Sequence, residues 1–164
     1  DKYGADATRF GIAYQAMGGQ DIRFAEEHII AGKKFCNKLW NISRFVMLNI
    51  KGPKRYTLNP KRYSATDKKI LAKLSKTIKR VNKDLDKYRF GHAAHELYDF
   101  VWHDFADIYI EESKKKPSPE VLLYVLTQTL KLLHPFVPFI TEEIYQGLPL
   151  GNKTMLMVEH WPKP

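Results

Sequence analysis

The 164-residue sequence contains one cysteine, Cys36, so no internal disulfide framework can form and a reducing compartment suits it. No apolar run approaches the roughly 18–20 residues that a membrane-crossing helix needs, and nothing at the start reads as a secretory signal. A membrane partner is therefore not expected, and a cytoplasmic location is. The chain also lacks a glycine-rich phosphate loop, a nucleophile constellation and any carboxylate pair that stands out from its neighbours. His92, His95, Asp99 and His103 recur at helical intervals on one element. No second element offers matching ligands, and Trp102 and Phe105 beside them read as packing, so no metal site is expected. These absences leave a binder rather than a catalyst. Asp1 stands where a methionine would begin a complete protein, inside what reads as helix, so a piece of something longer is expected.

What is present is a well-furnished core and an uneven charge. Hydrophobic residues make up 44% and aromatics 13%, enough for one domain with a real interior. The net charge is +9, but residues 51–90 alone hold 14 Lys and Arg against Asp67, Asp84 and Asp86, a local surplus of 11. The rest of the chain is then slightly acidic. Positive charge concentrated in one region points to a polyanion as partner, with a solubilising surface as the plainer alternative.

Apolar spacing predicts an antiparallel all-α bundle with a short extended C-terminal segment. A first helix over 6–17 ends at Gly18-Gly19, and Gln20 to Phe24 reads as an extended connector. A long helix over 25–49 ends at Gly52-Pro53, before a basic loop interleaved with Tyr56 and Tyr63. Ser64 or Thr66, with Asp67 in the first turn, caps a third helix. A fourth, over 91–113, has Leu97, Tyr98, Val101, Trp102, Phe105, Ile108 and Tyr109 as its core side. Ser118-Pro119-Glu120 is a strong start for a helix that runs to His134, and Pro135 and Pro138 separate it from a short last helix. Residues 155–161 read as a strand or as a tail laid over the bundle. Two domains are expected: 1–20, ending a preceding region, and 21–164, the bundle proper.

Two rows of polar residues carry candidate chemistry. On the third helix Lys69, Lys73, Lys76 and Arg80, continued by Lys83 and Lys87, recur at steps of 4 and 3 and could track a phosphate backbone; a plain solvent face is the commoner outcome. The acids of the next helix, among them Glu96, Asp104 and Asp107, could pair with them. On the second helix Cys36, Leu39, Trp40, Val46 and Met47 share the core side, while Lys34, Lys38, Asn41 and Phe45 share the other, with Asn37 and Arg44 at its margin. Cations, carboxamides and a ring together offer what an unpaired RNA base needs: a stacking surface, partners for its edge, and charge for the phosphates. The alternative is that Phe45 simply packs into another helix.

Lys2-Tyr-Gly-Ala-Asp-Ala-Thr-Arg-Phe10 resembles the segment after the catalytic lysine loop of class I aminoacyl-tRNA synthetases for valine, leucine and isoleucine. Gly19-Gln-Asp-Ile-Arg-Phe24, Asn37-Lys-Leu-Trp-Asn-Ile-Ser-Arg-Phe45, Tyr88-Arg-Phe90 and Asp107-Ile-Tyr-Ile-Glu111 are similar to the valine enzymes in particular. Leu132 to Tyr145, with its His-Pro-Phe-Val-Pro-Phe core, is shared across the wider group. The resemblance implies an anticodon-binding domain of the class I synthetase type, preceded by the end of a stem-contact region. It implies tRNA(Val), through its anticodon stem-loop, as partner, and a monomer. It also implies that ATP and Mg2+ belong to the full-length enzyme, with no cofactor in this stretch, because neither class I catalytic motif is here. Carried over by position, Phe45 becomes the stacking ring, and Lys38, Asn41 and Arg44 the base and phosphate contacts. Lys33 stands where many members have Arg, and a lysine cannot supply the same two-pronged contact. Two alternatives stay open: the same module from an isoleucine or leucine enzyme, and a helical interdomain or protein-interaction module that touches no RNA.

Overall fold

The computed structural model describes residues 2–18, 25–50, 59–151 and 153–164. The proposed connector at 20–24, the division at residue 20 and the basic residues of 51–58 lie outside that set. α1 (Ala5–Gln15) and α2 (Glu26–Asn49) cross at close range. The closeness has a cause in the sequence: a Cβ built on Gly32 would run into the Ala7 carbonyl, and one on Gly11 would sit 2.7 Å from the His28 carbonyl oxygen. Phe10 then stacks on Phe35 at a centroid distance of 4.3 Å, which carries α1 into the common core.

α3 (Ala65–Leu85) follows a 3-10 turn at Pro60–Arg62. Its cap is Ser64, in a reciprocal box: the Ser64 side chain accepts from Asp67 N–H, and the Asp67 carboxylate accepts from Ser64 N–H at 2.9 Å. Asp67 is buried and does more than cap. It also accepts from Tyr109 Oη at 2.5 Å and Ser118 Oγ at 2.8 Å, tying the starts of two helices to the last turn of a third. Burial alone would raise its pKa, but these donors outweigh it and hold the carboxyl below its usual range.

The predicted fourth helix is three windings in series: α4 (Phe90–Asp99), an eleven-residue π-helix (Phe100–Ile110) and a terminal turn, α5 (Glu111–Ser113). The buried residues of the π segment are Phe100, Val101, Phe105, Ala106, Tyr109 and Ile110. Phe100, Phe105 and Ile110 are five apart, as are Val101 and Ala106, which is the step an i→i+5 winding stacks on one side. Ile108 was placed on the core side by its α-helical spacing; with the wider winding it is 40% exposed.

α6 (Pro119–Leu133) is the central helix, with Val121, Leu122, Val125, Leu126, Leu130, Leu132 and Leu133 all buried. α7 (Pro138–Gly147) follows the Pro135–Val137 corner. α1 clamps that corner: Arg9 donates to the carbonyls of Pro135 at 2.8 Å and Phe136 at 3.2 Å, while Asp6 accepts from the backbone N–H groups of Phe139 and Ile140 at 3.3 and 2.7 Å. The C-terminal segment is a tail and not a strand. It makes one 3-10 turn at Leu156–Val158, buries Leu156, and is fastened by Trp161 Nε1 donating to Asn82 and by Lys131 pairing with Glu159. Among the described residues there is no strand, and no helix is long and apolar enough to cross a membrane.

Candidate nucleic-acid interface

α2 buries Ile29, Gly32, Phe35, Cys36, Leu39, Ile42, Ser43 and Val46, a stripe that fixes which residues look outward. In its first turns those are Glu26, Glu27, His28, Ile30 and Ala31, and from there on Lys33, Lys34, Asn37, Trp40, Asn41, Arg44 and Leu48. Trp40 had been placed in the core. It sits about 100° from Leu39 around the helix, at the edge of the buried stripe, and 42% of it is exposed among the described residues. Of the residues picked from sequence, Lys34, Asn41 and Arg44 lie together on this open face. Lys38 and Phe45 do not. They lie two turns apart on the flank turned toward the π-helix, and both are half-buried. Lys38 Nζ pairs with Asp107 at 2.8 Å and lies 5.0 Å above the centre of the Trp102 ring. Phe45 packs against the hydrophobic core.

The open face is electrostatically uncompensated. Among the described residues, Lys33, Lys34 and Arg44 have no ion-pair partner, and the amides of Asn37 and Asn41 have no hydrogen-bond partner. Cys36 beneath them is inert, because burial, with the Asp6 charge adding to it, pushes its thiol up to about 12. Three cations, two free carboxamides and an indole on one helix face can hold phosphates, read a base edge and stack a base.

The α3 stripe is different. Lys73 pairs with Asp104 at 3.2 Å, and Arg80 makes a two-pronged contact with Glu96 at 2.9 and 3.0 Å. Lys69 and Lys76 are exposed without an ion pair among the described residues. Lys61 and Arg62 of the basic loop are exposed on their 3-10 turn, while Tyr63 folds against the core. No three His, Cys, Asp or Glu side chains of the described residues converge to hold a metal ion.

With this geometry in view, comparison with known proteins is informative. The family described as "Anticodon-binding domain of tRNA ligase" matches residues 67–164, more than half of the chain. The chain belongs to this family. Valine–tRNA ligases share its sequence over nearly its whole length: the enzymes of Bacillus cereus (strain ATCC 10987) and Bacillus subtilis (strain 168) are 43% identical over 173 aligned positions, and that of Listeria monocytogenes is 41% identical over 174. In each case 99% of this chain is covered, and it spans 20% of the relative's length. In three dimensions it is similar to part of the Agrobacterium radiobacter K84 leucyl-tRNA synthetase in a ternary complex with tRNA and LeuAMS. The TM-score is 0.79 at 22% identity, covering 99% of this chain and 20% of that one, and the likeness is one of fold. The anticodon-binding fold is thus the all-α bundle expected from the sequence. Its exposed α2 face includes Trp40, which spacing assigns to the core side, and Lys33, whose part in base reading the departure from Arg puts in doubt. The signal for Trp40 was its place at the edge of the apolar stripe.

Proposed function

We propose that this chain binds the anticodon stem-loop of tRNA(Val) with the open face of α2, as the tRNA-recognition part of a valine–tRNA ligase. The observation that carries the reading is the row of cations and carboxamides that no described residue pairs with, beside an exposed indole on that face. Arg44 and Lys34 contact phosphates, Asn41 and Asn37 meet base edges, and Trp40 supplies the stacking plane. Phe45 contributes its rim at the edge of the face, and Lys38 stays docked on Asp107 and Trp102, bordering it. Residues 1–20 form the end of the stem-contact region that leads into the bundle. The chain works as a monomer in the cytoplasm. Activation of valine with ATP and Mg2+ belongs to the remainder of the enzyme, and no step of that reaction is assigned to residues of this chain. Incubated with ATP, valine and tRNA(Val), it forms no valyl-tRNA; product above the enzyme-free control would overturn that part of the reading.

The deciding experiment is a titration of the chain with a valine anticodon stem-loop and with the same loop carrying a changed middle anticodon base. The expected result is tighter binding to the cognate loop. Equal binding to both, lost in parallel as salt is raised, would reduce the surface to electrostatic attraction and overturn base reading.

A further inference from the structure

We propose that the groove between the start of α1, the middle of α2 and the N-terminus of α7 is a second nucleotide subsite, in which one unstacked RNA base lies against Phe139 and its phosphate meets Lys33. The proposal rests on the reading of α2 as an RNA-binding face and extends it beyond that helix. The groove has a volume of about 420 Å³, within the range of small-molecule sites, and its walls include Tyr3, Cys36, Ile140 and Phe139, with Lys33 and Asn37 on the rim. Apolar walls with one ammonium and one carboxamide at the edge suit a base and its phosphate better than they suit an anion alone.

Phe139 is the feature that the fold leaves unexplained. α7 turns Thr141, Ile144 and Tyr145 inward, yet Phe139 is 66% exposed and has no aromatic neighbour among the described residues. Its backbone is nevertheless held in place. Asp6 accepts from the N–H groups of Phe139 and Ile140, and Arg9 fixes the preceding corner through the Pro135 and Phe136 carbonyls. The ring therefore stands on a rigid mount, as a stacking platform should. Asp6 is the one acid lining the groove; its two oxygens are engaged by those N–H groups, and the N-terminus of α7 offsets its charge. Lys33 and Asn37, at i and i+4, belong to the same outward stripe as Trp40 and Arg44. A loop laid along α2 would reach the groove without leaving the protein surface.

The test is the affinity of the chain for the valine anticodon stem-loop, measured for the unaltered chain and for Phe139→Ala, Phe139→Tyr, Lys33→Ala and Arg44→Ala. Phe139→Ala should weaken binding roughly 5- to 150-fold, the usual worth of a base–aromatic stack, and Phe139→Tyr should restore it. Lys33→Ala should flatten the dependence of log affinity on log salt by about 0.7–0.9. A scan with abasic loop nucleotides should find one position whose loss weakens the unaltered chain but costs Phe139→Ala nothing further. Because that ring is mostly solvent-exposed the variant should melt like the parent, and the scan and the Tyr variant decide the matter without it. If Phe139→Ala binds within twofold of the parent, or no abasic position couples to it, the groove is not a nucleotide site. The α2 reading still stands if Arg44→Ala loses affinity. No binding by the unaltered chain overturns both.

Discussion

On α2, Lys33, Lys34 and Arg44 point away from the bundle with no carboxylate of the described residues against them, beside an indole and two amides that no described residue engages. On α3, the longer row of cations runs beside α4 and the π-helix, where Glu96 grips Arg80 and Asp104 holds Lys73. By counts of charge α3 is the more basic element, and by sequence it is the more conspicuous. What distinguishes the helices is that acids of neighbouring elements hold Arg80 and Lys73 of the α3 row, while its cations that no described residue pairs with, Lys69 and Lys76 among them, share a helix that carries no aromatic residue. Charge already satisfied within the protein contributes little to binding a polyanion, since a phosphate would have to displace an existing partner. Free charge interleaved with rings and amides is the better indicator of a site.

The largest effect expected separates what places these helices from what they present. Asp67→Ala removes the acceptor shared by Ser64, Tyr109 and Ser118 at the root of α3 and should destabilise the chain by about 3 kcal/mol, since it leaves the buried Tyr109 hydroxyl without this acceptor and uncaps α3. Chemical denaturation checks this. The same carboxyl gives the pH dependence. Its folded pKa is depressed, so its contribution is complete above the unfolded value of about 3.9 and is lost as the pH falls through the lower folded value. Acid unfolding of Asp67→Asn should consequently be shallower than that of the parent.

Next in size are substitutions on the α2 face. Trp40→Ala should weaken binding to the anticodon stem-loop by about 1–3 kcal/mol with little change in melting temperature, because the side chain is largely outside the core. Phe45→Ala should do the opposite in proportion: a clear loss of stability, since the ring packs on the core, and a smaller loss of affinity. If the two variants were to exchange these signatures, the base would stack on Phe45 and the exposed indole would be incidental.

Much of this was legible from residue spacing. The Ser64–Asp67 box and the Pro119-Glu120 start announce α3 and α6, because both are local chemistry, although the Ser118 hydroxyl donates to Asp67 and does not cap its own helix. The buried side of α2 follows from period 3.6 except at its margin, where Trp40 lies and where only the cover given by neighbouring elements decides. The π winding was not legible: over eleven residues a π winding and a 3.6-residue step both bury Val101, Phe105 and Tyr109, and differ mainly at Ala106, Ile108 and Ile110. Nor could spacing reveal that Lys38 is docked on Asp107, or Arg80 on Glu96, since those partners come from other helices. Phe139 looked like one apolar residue in the Leu132–Ile140 stretch, and its exposure is a property of the α6–α7 corner.

The smallest effect tests the comparison at its weakest point. If Lys73 and Arg80 are silent because Asp104 and Glu96 occupy them, removing those acids should wake them. Glu96→Gln with Asp104→Asn frees Arg80 and Lys73 at a stability cost within about 1 kcal/mol, as for other exposed pairs. Binding to the stem-loop should then strengthen slightly and equally for cognate and altered anticodons, with a steeper salt dependence, because released cations attract phosphate without reading bases. Lys73→Ala and Arg80→Ala in the parent should leave affinity and salt slope nearly unchanged. A fall in slope of about one unit for either would mean that RNA displaces Asp104 or Glu96, and the two helices would form one continuous binding surface.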